Sequence, residues 1–222
     1  MFLEVPDLLT AAEVDRLSAL AAGARFADGR LSNPHSTAKK NLQIEYADAA
    51  YAESARLLTG ALNRSETLRD FAFPRALAPP MMTKYGPGMS YGLHADAAFL
   101  PLAPRPLRSD LSCTVFIAAP SAYEGGELCV QLGTRRMAFK GPPGSAVVYP
   151  SNTLHEVKPV TSGERIVGLT FIESRISDQS HRELLYELNE IAALEGLNMS
   201  WDNRTRLQCA RNNLFRMWAE AG

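Results

Sequence analysis

The stretch Lys84-Tyr85-Gly86-Pro87-Gly88-Met89-Ser90-Tyr91-Gly92-Leu93-His94-Ala95-Asp96 breaks at a Gly-Pro-Gly triplet and ends in a polar pair one residue apart. Met81–Tyr85 reads as a strand, Gly86-Pro87-Gly88 as a turn, and residues 93–97 as a second strand. Alternate side chains of a strand share a face. His94 and Asp96 would then stand side by side, offering an imidazole and a carboxylate to one metal ion. They would be two legs of a facial triad that leaves other coordination positions open. A His-x-Asp tripeptide is weak evidence taken alone, because it recurs by chance.

Working outward, short apolar runs separated by Gly and Pro continue through the middle of the chain. Strands are expected at 112–119, 127–131, 146–149, 155–160 and 165–173. Turns are expected at Gly125-Gly126, Gly141-Pro142-Pro143-Gly144 and Thr161-Ser162-Gly163. Many short strands at this spacing suggest a sandwich or jelly roll. The flanks read as helical. Thr10-Ala11-Ala12-Glu13 is a capping box followed by Val14, Leu17 and Leu20 at helical spacing, with Gly23 as a stop. A second helix is expected over 49–63, and two more over 178–194 and 204–220. Within residues 25–46, the polar stretch around Ser32-Asn33-Pro34-His35 reads as a loop. The fold class is therefore mainly β with flanking helices. One domain is expected over 1–222: a helical part at about 1–75, a β core at about 81–173 and C-terminal helices at about 177–220.

Composition narrows the function. The 222 residues carry a formal charge of −1, with 46% hydrophobic and 21% charged side chains, as in an ordinary globular protein. No basic stripe points to nucleic acid; Arg135-Arg136 reads as a hairpin tip. No apolar run is long enough for a membrane span, and no signal peptide is visible. Cys113, Cys129 and Cys209 form no disulfide framework, and Cys113 and Cys129 read as small core residues; a reducing cytoplasm is the expected compartment.

Two further residues extend the polar pair. His155 begins an apparent strand, and Arg165 follows ten residues later, at the start of the next. A hairpin across 161–163 would bring Arg165 into the neighbourhood of His155. A guanidinium can clamp a carboxylate through two parallel hydrogen bonds; the competing reading is a solvated charge at a strand edge.

The order His94-x-Asp96, His155, Arg165 resembles the signature of the Fe(II)/2-oxoglutarate oxygenases related to prolyl 4-hydroxylase. Asp110-Leu111-Ser112-Cys113-Thr114-Val115-Phe116, Tyr123-Glu124-Gly125-Gly126-Glu127-Leu128 and Tyr149-Pro150-Ser151-Asn152-Thr153-Leu154-His155-Glu156-Val157 resemble the bacterial PKHD-type hydroxylases. So do Lys40-Asn41-Leu42-Gln43 and Asn213-Leu214-Phe215-Arg216-Met217-Trp218. The likeness spans essentially the whole chain. It implies a double-stranded β-helix of the jelly-roll, cupin-like kind, with Fe(II) on His94, Asp96 and His155. It implies 2-oxoglutarate chelating that iron with its distal carboxylate on Arg165, Tyr85 lining the co-substrate pocket, O2 as oxidant and ascorbate as reductant. The reaction would release succinate and CO2 and hydroxylate an unactivated C–H bond, on a peptidyl proline or a small molecule, with a link to bacterial iron uptake.

Two rivals remain: a non-catalytic jelly-roll binding protein, and a zinc protein with the same three ligands, in which Arg165 would have no task. Residues 30–40 and 98–110 are candidate lids. Lys39, His35 and Arg105 are candidate substrate contacts or else surface residues. Phe99, Phe116 and Val148 would keep the site dry or serve the core. His181 is assigned to surface or helix packing, and Trp201 and Trp218 to packing of the terminal helices. An oligomer is possible.

Overall fold

The computed structural model describes residues 1–33 and 36–220. His35 lies outside the described residues. Two antiparallel sheets form the body. The larger runs, neighbour to neighbour, Leu3–Val5, Ala146–Pro150, Leu111–Phe116, Arg165–Ser174, Met81–Tyr85, Leu42–Ile44 and Phe26–Asp28, with Pro74–Leu77 beside the end of Arg165–Ser174. The smaller runs Arg135–Phe139, Leu128–Leu132, His155–Val157, Ser90–His94 and Lys39–Lys40. Side-chain alternation explains the layers. Cys113, Val115 and Val148 face one apolar core, which they share with helix residues; Phe116, Val147, Tyr149 and Val167 face a second, shared with Leu128, Val130 and Val157 of the smaller sheet. The second core therefore lies between the sheets.

Helices cover the outer face of the larger sheet. Helix α1 (Ala11–Gly23) starts at the expected capping box, with Thr10 accepting from the Glu13 backbone N–H and Glu13 reaching back. Helix α2 (Ala49–Arg64) is capped by Asp48. Leu17, Leu58 and Leu62 are fully buried, each contributing about 1.5–3 kcal/mol of apolar burial. Gly168 lets α2 lie close: a Cβ there would meet Leu58 Cδ1 at 2.8 Å. Ser65 then caps a further short helix, α3 (Glu66–Ala72), and the chain continues to α4 (Gln179–Glu195) and α5 (Trp201–Trp218). No helix of the described residues is long and apolar enough to cross a membrane.

Several expectations need correction. The N-terminal third is not only helical: 25–46 contains three short strands and a 3-10 turn, Gly29–Ser32. The strand expected at 93–97 is Ser90–His94, so Asp96 lies beyond its end. The strand expected at 112–119 stops at Phe116, and the one at 155–160 stops at Val157. The hairpin between 155 and 165 does not form. Val160–Gly163 is itself a strand, paired with Tyr123–Gly125, and Arg165 crosses to the larger sheet. Arg135 and Arg136 open a strand, after a turn at Gly133. Trp201 is exposed, not packed, whereas Trp218 stacks on His181 with ring centroids 4.2 Å apart. Cys113 is buried, Cys129 half-buried and Cys209 exposed.

Candidate metal centre

His94 and His155 are direct cross-strand partners in the smaller sheet, which is why their rings meet, with centroids 4.2 Å apart. A bulge interrupts this pairing, since Val157 pairs with Tyr91 while His155 pairs with His94. Residues three apart in a regular strand face opposite sides; the bulge re-aims one of them. Tyr91 and His94 therefore both face inward, their rings stacked 3.6 Å apart.

Asp96 arrives from just past the strand. Its carboxylate stands 3.8 Å from His94 Nε2 and 3.6 Å from His155 Nε2. One ligand atom from each of the three residues lies within 4.8 Å of the others. The hydrogen bonds set the tautomers. His94 Nδ1 lies 2.8 Å from the Gly92 carbonyl oxygen and His155 Nδ1 lies 2.9 Å from that of Thr153. A carbonyl can only accept, so each Nδ1 donates and each Nε2 lone pair faces the common centre. Burial first, then the adjacent His155, pull His94 below the ordinary imidazole range. It is neutral near pH 7, the form that binds a metal.

Asp96 is held from the larger sheet. Ser112 Oγ donates to Asp96 Oδ2 at 2.5 Å; Ser112 and Ser151 hydroxyls are 2.8 Å apart, as are those of Ser109 and Ser151. The Asp96 N–H also donates to the Ser151 carbonyl at 3.2 Å. This buried chain of hydroxyls was not anticipated, although Ser112 and Ser151 lie in segments that carried the resemblance.

The cavity beside the three ligand atoms is lined by Thr83, Tyr85, Tyr91, Tyr149, Leu128 and Arg165, among others. Arg165 pairs directly with Tyr85 across the larger sheet, so both side chains share the inward face. Its guanidinium carbon lies 5.0 Å from the Tyr85 ring centroid. Arg165 is 1% exposed, its Nε has no hydrogen-bond partner, and no carboxylate of the described residues lies within ion-pair distance of it. An unpaired charge in such a place is costly unless a ligand compensates it. Burial also raises the phenols of Tyr85 and Tyr149 above their ordinary range, so both are neutral donors.

The other candidate residues are distributed as follows. Phe116 belongs to the core between the sheets, but Val148 faces the helices and Phe99 is exposed, so neither dries the cavity. Arg105 binds buried Glu173 at 2.9 Å, away from the cavity. Residues 98–110 fold back through a small pair of strands, Phe99–Leu100 with Leu107–Arg108. Lys39 is not a surface residue: it is 9% exposed.

A family model described as the 2OG-Fe(II) oxygenase superfamily matches residues 80–173. A PKHD-type hydroxylase of Sphingopyxis alaskensis is 53% identical over 205 residues, covering 92% of this chain and 94% of its own. Among solved structures, a Pseudomonas putida prolyl-4-hydroxylase aligns with TM-score 0.51 at 18% identity, covering 78% of this chain and 92% of that one. A prolyl hydroxylase from Trichoplax adhaerens, in complex with a hypoxia inducible factor peptide fragment, aligns with TM-score 0.56 at 14% identity, covering 78% and 83%. These two share the fold, a double-stranded β-helix.

Proposed function

From the premise that the chain belongs to the PKHD-type hydroxylases of the 2OG-Fe(II) oxygenase superfamily, we propose that His94, Asp96 and His155 hold Fe(II) and that Arg165 receives the distal carboxylate of 2-oxoglutarate. As a member of that family the protein is a 2-oxoglutarate-dependent dioxygenase, an oxidoreductase. The observation that carries the site assignment is the pairing of two complementary features in one cavity. Three donor atoms converge there within 4.8 Å, and a buried guanidinium with no carboxylate partner among the described residues, its Nε without a hydrogen bond, faces the same space. Two imidazoles and one carboxylate suit Fe(II) and leave a face of the ion open.

Bound there, Fe(II) supplies the activation of dioxygen that the protein's own side chains cannot perform. One oxygen atom of O2 enters succinate as 2-oxoglutarate loses CO2, and the other enters a C–H bond of the prime substrate, giving an alcohol. The chain supplies the rest. Arg165 fixes one end of the co-substrate with charge-assisted hydrogen bonds. Tyr85 stacks against that guanidinium and lines the same pocket. Leu128, Val157 and Val167 exclude water from the cavity wall. The proposal extends to a peptidyl proline or a small molecule as prime substrate, to ascorbate as reductant and to a role in bacterial iron uptake, with the family likeness as their support. Residues 1–222 act as one oxygenase domain.

The test is succinate formation from 2-oxoglutarate under air with Fe(II) and ascorbate. Wild type should turn over, and His94→Ala should lose at least about a hundredfold, because a two-ligand site binds the ion poorly. Turnover that survives His94→Ala would place the iron elsewhere.

A further inference from the structure

Lys39 lies on the edge strand of the smaller sheet and pairs with Tyr91, which in turn pairs with Val157, which pairs with Leu128. Cross-strand partners share a face. Leu128, Val157 and Tyr91 all line the cavity, so Lys39 is the fourth member of an inward-facing row. Its Nζ lies 5.4 Å from the Tyr91 ring centroid, and Tyr91 stacks on His94. The ammonium is thus one aromatic ring away from a candidate metal ligand.

That ammonium is poorly compensated. Its one hydrogen-bond partner among the described residues is the neutral Ser32 hydroxyl, at 2.7 Å. No described carboxylate lies within ion-pair distance. The two acidic groups that act on it are already committed: Asp28 to Arg30, Asp96 to the three-ligand cluster. Among the described residues, two of its three N–H donors have no partner, on a residue that is 9% exposed. Burial lowers its affinity for a proton, as expected where no anion offsets the charge.

Formal charge sharpens the point. On the proposed reading, Asp96 and a doubly charged 2-oxoglutarate are balanced by Fe(II) and Arg165. Among the described residues around the cavity, Lys39 is then a charge without a counterpart. Resident charges that stay unbalanced beside a substrate cavity mark where a ligand's charge belongs.

We propose that Lys39, with the Ser32 hydroxyl beside it, forms a subsite for a carboxylate of the prime substrate, placed across Tyr91 from the metal centre. The subsite rests on the oxygenase reading for the identity of its occupant. Its role is to select an acidic substrate and to orient it by the end remote from the reacting C–H bond. The phenol of Tyr91, which accepts from Asn33 Nδ2 at 3.1 Å, forms the wall between the two ends.

The experiment uses the full chain loaded with Zn(II) and 2-oxoglutarate, which fills the metal cluster and Arg165 without turnover. Benzoate and its neutral isostere benzamide are the probes, with binding read by ligand-observed NMR. Benzoate should bind wild type roughly ten- to a hundredfold more tightly than benzamide, the range for one charge-assisted hydrogen bond. Lys39→Met, which keeps an apolar stem of similar length, should erase that preference; Lys39→Arg should keep it. Equal binding of the two probes to wild type, no binding of either, or a preference that survives Lys39→Met overturns the subsite. Failure of 2-oxoglutarate to bind the Zn(II)-loaded wild type would instead overturn the oxygenase reading. The two failures are read separately.

Discussion

Asp96 depends on a hydroxyl sixteen positions further along the chain, because Ser112 donates the hydrogen bond that fixes its Oδ2. His94 and His155 owe their orientation to backbone carbonyls, which no substitution removes. Asp96 owes it to side chains, which substitution can test. Ser112→Ala should leave the fold intact, since the residue is small and fully buried, but should weaken binding of Co(II) or Fe(II) by about 10–100-fold, the usual cost of removing a group that orients a ligand. Ser112→Thr, which retains the hydroxyl, should recover much of the loss. Direct metal titration with circular dichroism as a check on folding reads both variants. An unchanged dissociation constant in Ser112→Ala would mean that Asp96 needs no such support.

At the scale of elements, the sequence marked the capping box and the long inner strands because those carry strong local patterns. Thr10 and Glu13 satisfy each other within one turn, and 165–173 is nearly continuous apolar sequence, as a strand buried on both faces requires. The hairpin expected across 161–163 failed for a physical reason. Gly163 looked like turn punctuation, yet its φ of 73° serves a close approach: a Cβ there would meet the Ala122 carbonyl oxygen at 2.0 Å. Glycine for proximity and glycine for turning look alike in sequence. Lys39–Lys40 and Phe26–Asp28 are too short for any periodicity, so the strand that brings Lys39 to the cavity was invisible. His94 and Asp96 were paired correctly by spacing but for an incomplete reason, since Asp96 lies past the strand end and is turned inward by the larger sheet.

The capping box also makes a pH prediction. Arg64 hydrogen-bonds Glu13 from α2, and chiefly for that reason the Glu13 carboxyl falls from 4.5 to about 2. A carboxyl depressed in the folded state stabilises it above the unfolded pKa, and that share is lost as pH falls through the folded one. The contribution of Glu13 is therefore whole above about pH 4.5 and fades towards pH 2. Solvent screening of this surface pair limits it to about 0.2–1 kcal/mol. Glu13→Gln should show that deficit in urea denaturation at pH 6 and a smaller one at pH 3. A deficit independent of pH would assign the effect to packing.

Across the whole molecule, the two sheets contribute unequally to the cavity. Both histidines come from the smaller sheet, while Arg165 and Ser112, which holds Asp96, come from the larger. The apolar core between the sheets keeps them in register, but among the described residues no hydrogen bond or ion pair bridges Arg165 to the histidines across the polar cavity. On the proposed reading, a metal alone would grip chiefly the smaller sheet, through its two histidines. 2-Oxoglutarate, chelating the metal at one end and meeting Arg165 at the other, would join the sheets. Ligands that bind only the folded state raise its stability by mass action, and two that share a bridge are coupled, each raising the affinity for the other. The shift in thermal midpoint with Zn(II) and 2-oxoglutarate together should exceed the sum of the separate shifts. Arg165→Met should abolish the excess and retain the Zn(II) shift. Strictly additive shifts in wild type would show that the co-substrate does not span the two sheets, and would move its distal carboxylate away from Arg165.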